Sequence, residues 1–208
     1  MHRARVGGCR FGQIGADLDA DCAVDLCTEL LLRYLVMVHL RATQKLLRLL
    51  PQPVETVEPP DAALGDWYVN RIVVDRRGLL ILVSSTSLLP ILIPARDVRT
   101  LPSRLPEIVA SRIERLGIEA SVLDAELRAM REVLVGRTLD RSVLGTTVEF
   151  GRDIPARLPV GTWTDEDLTH LEDRLETTPC RASRRSADVI VPREKARELL
   201  NAEWALSN

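Results

Sequence analysis

Apolar residues in this chain follow two rhythms. From Met37 to residue 93 they come in short runs. Val38 and Leu40 alternate with His39 and Arg41, as on a half-buried strand. Further on, Trp67, Val69 and Val73 fall on one side of an extended segment, and Tyr68, Asn70, Ile72 and Val74 on the other. Residues 75–78, Asp-Arg-Arg-Gly, read as a turn, and Leu79–Val83 returns as a buried strand. A second turn over Ser84–Ser87 leads to a third run, Leu88–Ile93. Pro90 has no N–H to give to a ladder, so this last strand is expected at an edge or with a bulge. The short connections rule out parallel crossovers and predict an antiparallel meander with strands near 38–42, 67–75, 79–84 and 88–93.

Past residue 100 the apolar spacing becomes three and four, the mark of helices. Ser103 opens a helix carrying Leu105, Ile108, Val109, Ile113 and Leu116, ended by Gly117. Ser121 with Asp124 resembles a capping box ahead of Leu123, Leu127, Met130 and Leu134. Asp140 caps a third helix through residues 141–150. Thr164, followed by three acids that suit the helix dipole, starts a fourth with Leu168, Leu171 and Leu175 inside. Pro192 opens the last helix, and Thr43 caps a short one carrying Leu46, Leu47 and Leu50. A meander packed against four to five helices is an α+β domain.

The N-terminal text differs from the rest. Residues 1–36 hold three of the four cysteines and an acidic patch, and the character changes at Met37. Residues 1–36 are therefore expected to be an upstream extension, the alternative being an N-terminal helix that packs on the domain, with 37–180 a single α+β domain and 181–208 a polar linker with a C-terminal helix.

Composition narrows the function classes. The 208 residues are 46% hydrophobic and 28% charged with net charge −2, which gives no global pull toward nucleic acid or anionic membrane. Residues 78–95 carry no charge, yet Ser84–Ser87 and Pro90 break them into two strand-length pieces rather than a membrane span. Cys9, Cys22, Cys27 and Cys180 contain no C-x-x-C pair and are too sparse for a secreted disulfide framework, so reduced thiols in a cytoplasm are expected. Cys22, Cys27 and His39 fit no zinc spacing, and neither a metal nor a cofactor is expected. Asp165, Glu166, Asp167, Glu172 and Asp173 read as a solvated helix face. Arg181, Arg184 and Arg185 belong to a basic stretch that could touch nucleic acid, but without interleaved aromatics a solvated linker is the stronger reading.

Mixed chemistry on separated short segments marks the candidate site. Lys45 and Arg141 offer anion binding, while Tyr68, Asn70 and Ser142 offer hydrogen bonds. Trp67 is expected as a structural anchor in the core. The alternative is that Asn70 and Arg141 satisfy backbone groups at a turn and a helix start. Ser142, His170 and an acid such as Asp66 hold the parts of a nucleophilic triad, but no G-x-S-x-G elbow accompanies them.

Three segments, "LRATQKLLRLL" (40–50), "LGDWYVNRIVVDRRGLLIL" (64–82) and "RSVLGTTVEF" (141–150), resemble an uncharacterised bacterial domain-of-unknown-function family. Its motifs are T-x-K-L-L, L-G-D-W-Y-x-N and R-S-x-L-G, with a T-P-C stretch that would be Thr178, Pro179 and Cys180. The resemblance spans roughly residues 37–180 and implies a start near Met37. It departs at Thr146 and Thr147, where the family has Met-Asn; a catalytic asparagine would be lost here, a packing one replaced. No activity comes with the resemblance. The expected function is a binding or interaction module for a small molecule or protein. The alternative is an enzyme acting on a phosphate-bearing substrate or nucleic acid, as a toxin–antitoxin or mobile-element effector.

Overall fold

The computed structural model describes residues 37–55, 59–96, 98–161, 163–181 and 188–204. All lie in one compact unit, Leu35–Asn208. The expected extension 1–36 with Cys9, Cys22 and Cys27, and the basic pair Arg184 and Arg185, lie outside the described residues. The fold is α+β. Among the described residues no helix is long and apolar enough to cross a membrane.

In chain order the elements are β1 (Met37–Ala42), α1 (Gln44–Leu47), β2 (Trp67–Val74), β3 (Arg77–Ser84), β4 (Pro90–Pro94), α2 (Leu101–Arg115), α3 (Ala120–Ala129), β5 (Glu132–Arg137), α4 (Arg141–Asp153), α5 (Asp165–Glu176), β6 (Cys180–Arg181), β7 (Val189–Ile190) and α6 (Pro192–Trp204). Five strands form a mixed sheet in the order β4-β3-β2-β1-β5, and β6 and β7 pair separately.

The meander covers three strands, not four. β2, β3 and β4 pair antiparallel, with Trp67 opposite Ser84 and Leu82 opposite Ile91. β1 runs parallel to β2, with Leu40 opposite Trp67, and parallel to β5. Residues 43–66, between β1 and β2, are long enough for a crossover; the short-connection argument holds only for the strands after them. The second correction is β5. Leu134 continues the spacing of Leu123, Leu127 and Met130, but α3 ends at Ala129 and residues 132–137 extend as a strand. Val133 and Val135 beside Leu134 suit either structure locally, and pairing to β1 decides for the strand.

Each sheet face carries its own core. Val38, Leu40, Trp67, Val69, Leu80 and Leu82 face α2, α3 and α6 through Leu105, Val109, Ile113, Val122 and Leu200. Tyr68, Leu79, Ile81 and Val83 face α4 and α5 through Val143, Phe150, Leu168, Leu171 and Leu175. Covering on both faces explains why β3 is apolar without alternation.

β4 is one edge of the sheet, the first of the two settings expected from Pro90. Leu92 N–H points away from β3 and donates to Glu172, while Arg112 Nε donates to Pro90 O at 3.2 Å. Backbone groups alternate inward and outward along an antiparallel strand, so positions 90, 92 and 94 share the outward direction. Both prolines therefore sit where a missing N–H loses no ladder bond. The one outward N–H between them is taken by a carboxylate, which blocks pairing with another chain. Glu172 is buried, unlike the solvated face expected for residues 165–173. Burial lifts its carboxyl above the usual range, and the bonds from Leu92 N–H and Arg115 pull it back.

The β2–β3 hairpin closes through Asp75 and Arg76, with φ of 49° and 64°. Two successive positive φ values define the mirror-image turn that favours Asn-Gly or Asp-Gly. Arg76 is exposed, and its side chain makes no hydrogen bond or ion pair among the described residues. Arg76→Gly is expected to stabilise the protein by about 0.5–1 kcal/mol, read as a higher urea midpoint at unchanged m-value.

Candidate functional site

The segment Leu64–Asn70 enters the sheet through a tightly bonded loop. Gly65 has φ of 70°, and a Cβ there would collide with the Ser85 hydroxyl. Leu64 O accepts from Ser84 Oγ at 2.6 Å, and Ala63 O from Thr86 Oγ1 at 3.0 Å. On the other side Glu126, fully buried, accepts from Ala63 N, Leu64 N and Trp204 Nε1 at 2.9, 3.0 and 2.7 Å. The glycine and the hydroxyls thus fix where β2 begins.

Asp66 then binds β1. Its Oδ1 accepts from His39 N at 2.9 Å and lies 3.2 Å from His39 Nδ1, and its Oδ2 accepts from Arg41 Nε at 2.8 Å. All three side chains are buried. Arg41 lies flat across β5, where a Cβ on Gly136 would stand 3.0 Å from Nη1. Sequence reasoning placed His39 and Arg41 on the wet side of a half-buried strand. Only the adjacency of β1 and β2 reveals their partner.

The candidate residues distribute as follows. Trp67 is fully buried in the first core. Tyr68, on the opposite face, is buried and its OH accepts from Asp140 N at 3.0 Å. Burial holds its phenol above the usual value. Asp140 caps α4 by accepting from Ser142 N at 2.6 Å, so this residue joins Tyr68 to the start of the R-S-x-L-G segment. Asn70 Oδ1 accepts from the next backbone N–H, Arg71, at 2.9 Å. Lys45 is exposed on the single turn α1. Arg141 lines a groove of about 220 Å³ with Leu144, Val148 and Arg152. Ser142 lines a larger cleft that shares Gly145 and Glu149 with this groove. Tyr68, Arg141 and Ser142 are thus brought to one helix start, and among the described residues no contact brings Lys45 or Asn70 to it. The triad parts stay apart: His170 is exposed, 3.8 Å from Glu166, and Asp66 is committed to β1.

The larger cleft has a volume of about 610 Å³. One wall is α4, with Ser142, Gly145, Thr146, Glu149, Phe150 and Asp153; the other is the end of α5 and its exit, with Leu175 and Thr178–Arg181. The R-S-x-L-G and T-P-C segments therefore face one another across it. The Thr147 hydroxyl turns back onto its own helix, donating to Val143 O at 2.9 Å, and does not line the cleft.

Two glycines in α4 differ instructively. A Cβ at Gly151 would stand 3.3 Å from Ile72 Cγ2 and from Ile81 Cδ1, so this glycine lets α4 approach the sheet. A Cβ at Gly145 would meet nothing within 4 Å. Glycine inside a helix costs about 1 kcal/mol relative to alanine. At Gly145 no packing contact among the described residues accounts for it, and the glycine borders both the cleft and the smaller groove.

Cys180 is the thiol in this cleft. Burial, followed by the Glu149 carboxylate, pushes it up to about 11. It is therefore protonated at neutral pH. Iodoacetamide at pH 8 is expected to alkylate Cys180 at least about tenfold more slowly than a free cysteine, followed by mass spectrometry of its peptide. A rate equal to free cysteine would contradict this environment. Among the described residues no three His, Cys, Asp or Glu side chains cluster as metal ligands would.

A family model described as a domain of unknown function (DUF6933) matches residues 39–195. No curated protein and no solved structure matches the chain.

Proposed function

The chain belongs to the DUF6933 family, a domain of unknown function, and from its geometry we propose that it is a binding module whose ligand sits in the cleft between α4 and Thr178–Arg181. The observation that carries this reading is Gly145, a helix-interior glycine that no packing contact among the described residues requires and that lines the cleft. A volume of about 610 Å³ lies in the range of small-molecule sites. Binding is favoured over catalysis because the Cys180 thiol is held protonated. No histidine among the lining residues stands ready to activate Ser142. The sparse cysteines favour a reducing cytoplasm.

A fragment screen read by backbone amide shifts tests the proposal. Hits should move Gly145, Thr146 and Thr178 and be lost in Gly145→Trp, whose side chain fills the cleft. Gly145→Ala is the folding control, expected to gain about 0.5–1 kcal/mol. Hits that cluster elsewhere, or that bind Gly145→Trp equally well, would sink the reading.

A further inference from the structure

We propose that β5 pairs with β5 of a second copy of this chain, antiparallel about a two-fold axis at Val135, once residues 51–55 swing aside. This interface goes beyond the cleft reading and does not rest on it. The sheet has two edges, β4 and β5. The β4 edge is sealed by its prolines, Glu172 and Arg112. The β5 edge is open. Along a strand in a parallel pair, both backbone groups of one residue point to the same side, and successive residues alternate. Thr43 N donates to Val69 O, so His39 and Arg41 turn their backbone toward β2, and Val38, Leu40 and Ala42 toward β5. The register partners Val133, Val135 and Arg137 therefore turn theirs outward.

One of these outward groups has a partner: Val135 O accepts from Val54 N at 2.8 Å. The other backbone groups of Val133, Val135 and Arg137 that point outward have none among the described residues. The strap over this edge is thus lightly held. Pro51 and Pro53 have no N–H to add. Arg137 lies 3.9 Å from Glu55 with both side chains exposed, and such a pair contributes little. A second copy fits the edge better. Antiparallel pairing about Val135 sets Val135 against itself and Val133 against Arg137, so each outward N–H meets an outward C=O. Glu132 then falls opposite Thr138, and Leu134 opposite Gly136, so no like charges face one another. A two-fold axis imposes this direction, and the contact closes at a dimer.

Sedimentation velocity of the full chain over a series of concentrations is expected to show a monomer–dimer equilibrium. Val54→Pro removes the donor of the strap and leaves β5 intact, so it should tighten the dimer about fivefold. Arg137→Pro removes an outward N–H at the exposed end of β5 and costs no bond to β1, so it should weaken the dimer at least about tenfold. Amide exchange on the unaltered chain supplies a readout that no folding defect can imitate. The N–H groups of Val133, Val135 and Arg137 should gain protection as concentration rises, while Leu134 N–H, turned toward β1, stays protected throughout. A monomer at every concentration overturns the proposal, as does a dimer that leaves those three amides unprotected. A dimer unmoved by Arg137→Pro, or not tightened by Val54→Pro, overturns it equally.

Discussion

Arg112→Ala is expected to destabilise the protein by about 3–5 kcal/mol, a large share of a typical domain's stability. The guanidinium is 1% exposed and faces three partners. Nε donates to Pro90 O at 3.2 Å and lies 3.9 Å from Glu172, and Nη2 pairs with Glu176. Glu176 in turn accepts from Arg193 at 3.2 Å, so the Arg112–Glu176 pair links β4, α2, α5 and α6. Truncation leaves the buried Glu176 carboxylate with only half-exposed Arg193, and leaves Pro90 O without its donor. The penalty comes mainly from those stranded groups rather than from the lost attraction. Replacing Arg112 and Glu176 together by methionine and leucine should therefore recover most of the loss. Urea unfolding followed by circular dichroism measures both. An Arg112→Ala loss under 1 kcal/mol, the range of a surface pair, would contradict the buried network. The same geometry gives Glu172→Ala a second phenotype: it frees Leu92 N–H on the edge strand, and concentration-dependent association should appear in light scattering.

Asp66→Ala is expected to have an effect of similar size, about 3–5 kcal/mol, at the opposite end of the sheet. Removing the carboxylate strands Arg41, 4% exposed, and leaves the backbone N–H of His39 without its acceptor. Asp66 also fixes the register where β1 meets β2, because its two oxygens hold alternate residues of β1. Asp66→Asn retains one acceptor oxygen and the shape, so it should fall between the wild type and Asp66→Ala. Unfolding midpoints rank the three proteins. Asp66→Asn as damaging as Asp66→Ala would show that charge, not shape or hydrogen-bond count, holds Arg41.

The candidate site was only partly legible before folding. Ser142 was found through its helix start, and Asp140 as the cap beneath it, because a cap is a contact between near neighbours. Tyr68 stood out as an aromatic on the second face of β2. Its partner Asp140 lies 72 residues away and carries no matching signal. The cleft itself was not visible. Glu149, Asp153 and Cys180 are ordinary helix acids and an isolated thiol until α4 and the exit of α5 come together. Glu172 misled for the same reason: beside Asp165, Glu166 and Asp167 it looks like one more solvated acid, yet it is buried over a strand 80 residues away.

By itself the sequence determined the α+β class, the hairpin and its edge, and the starts of α4 at Asp140 and of α5 at Thr164, while the capping box read at Ser121 and Asp124 does not form and the one present joins Thr164 and Asp167. Each rests on side-chain period, a proline ring or a hydrogen bond spanning a few residues, and local free energy decides those. Tertiary structure decided that β1 runs parallel between β2 and β5, that residues 132–137 extend rather than coil, and that Asp66, Glu126 and Glu172 have partners at all. A buried carboxylate is stable only beside donors brought from distant elements, and that proximity exists only once the strands have chosen their neighbours.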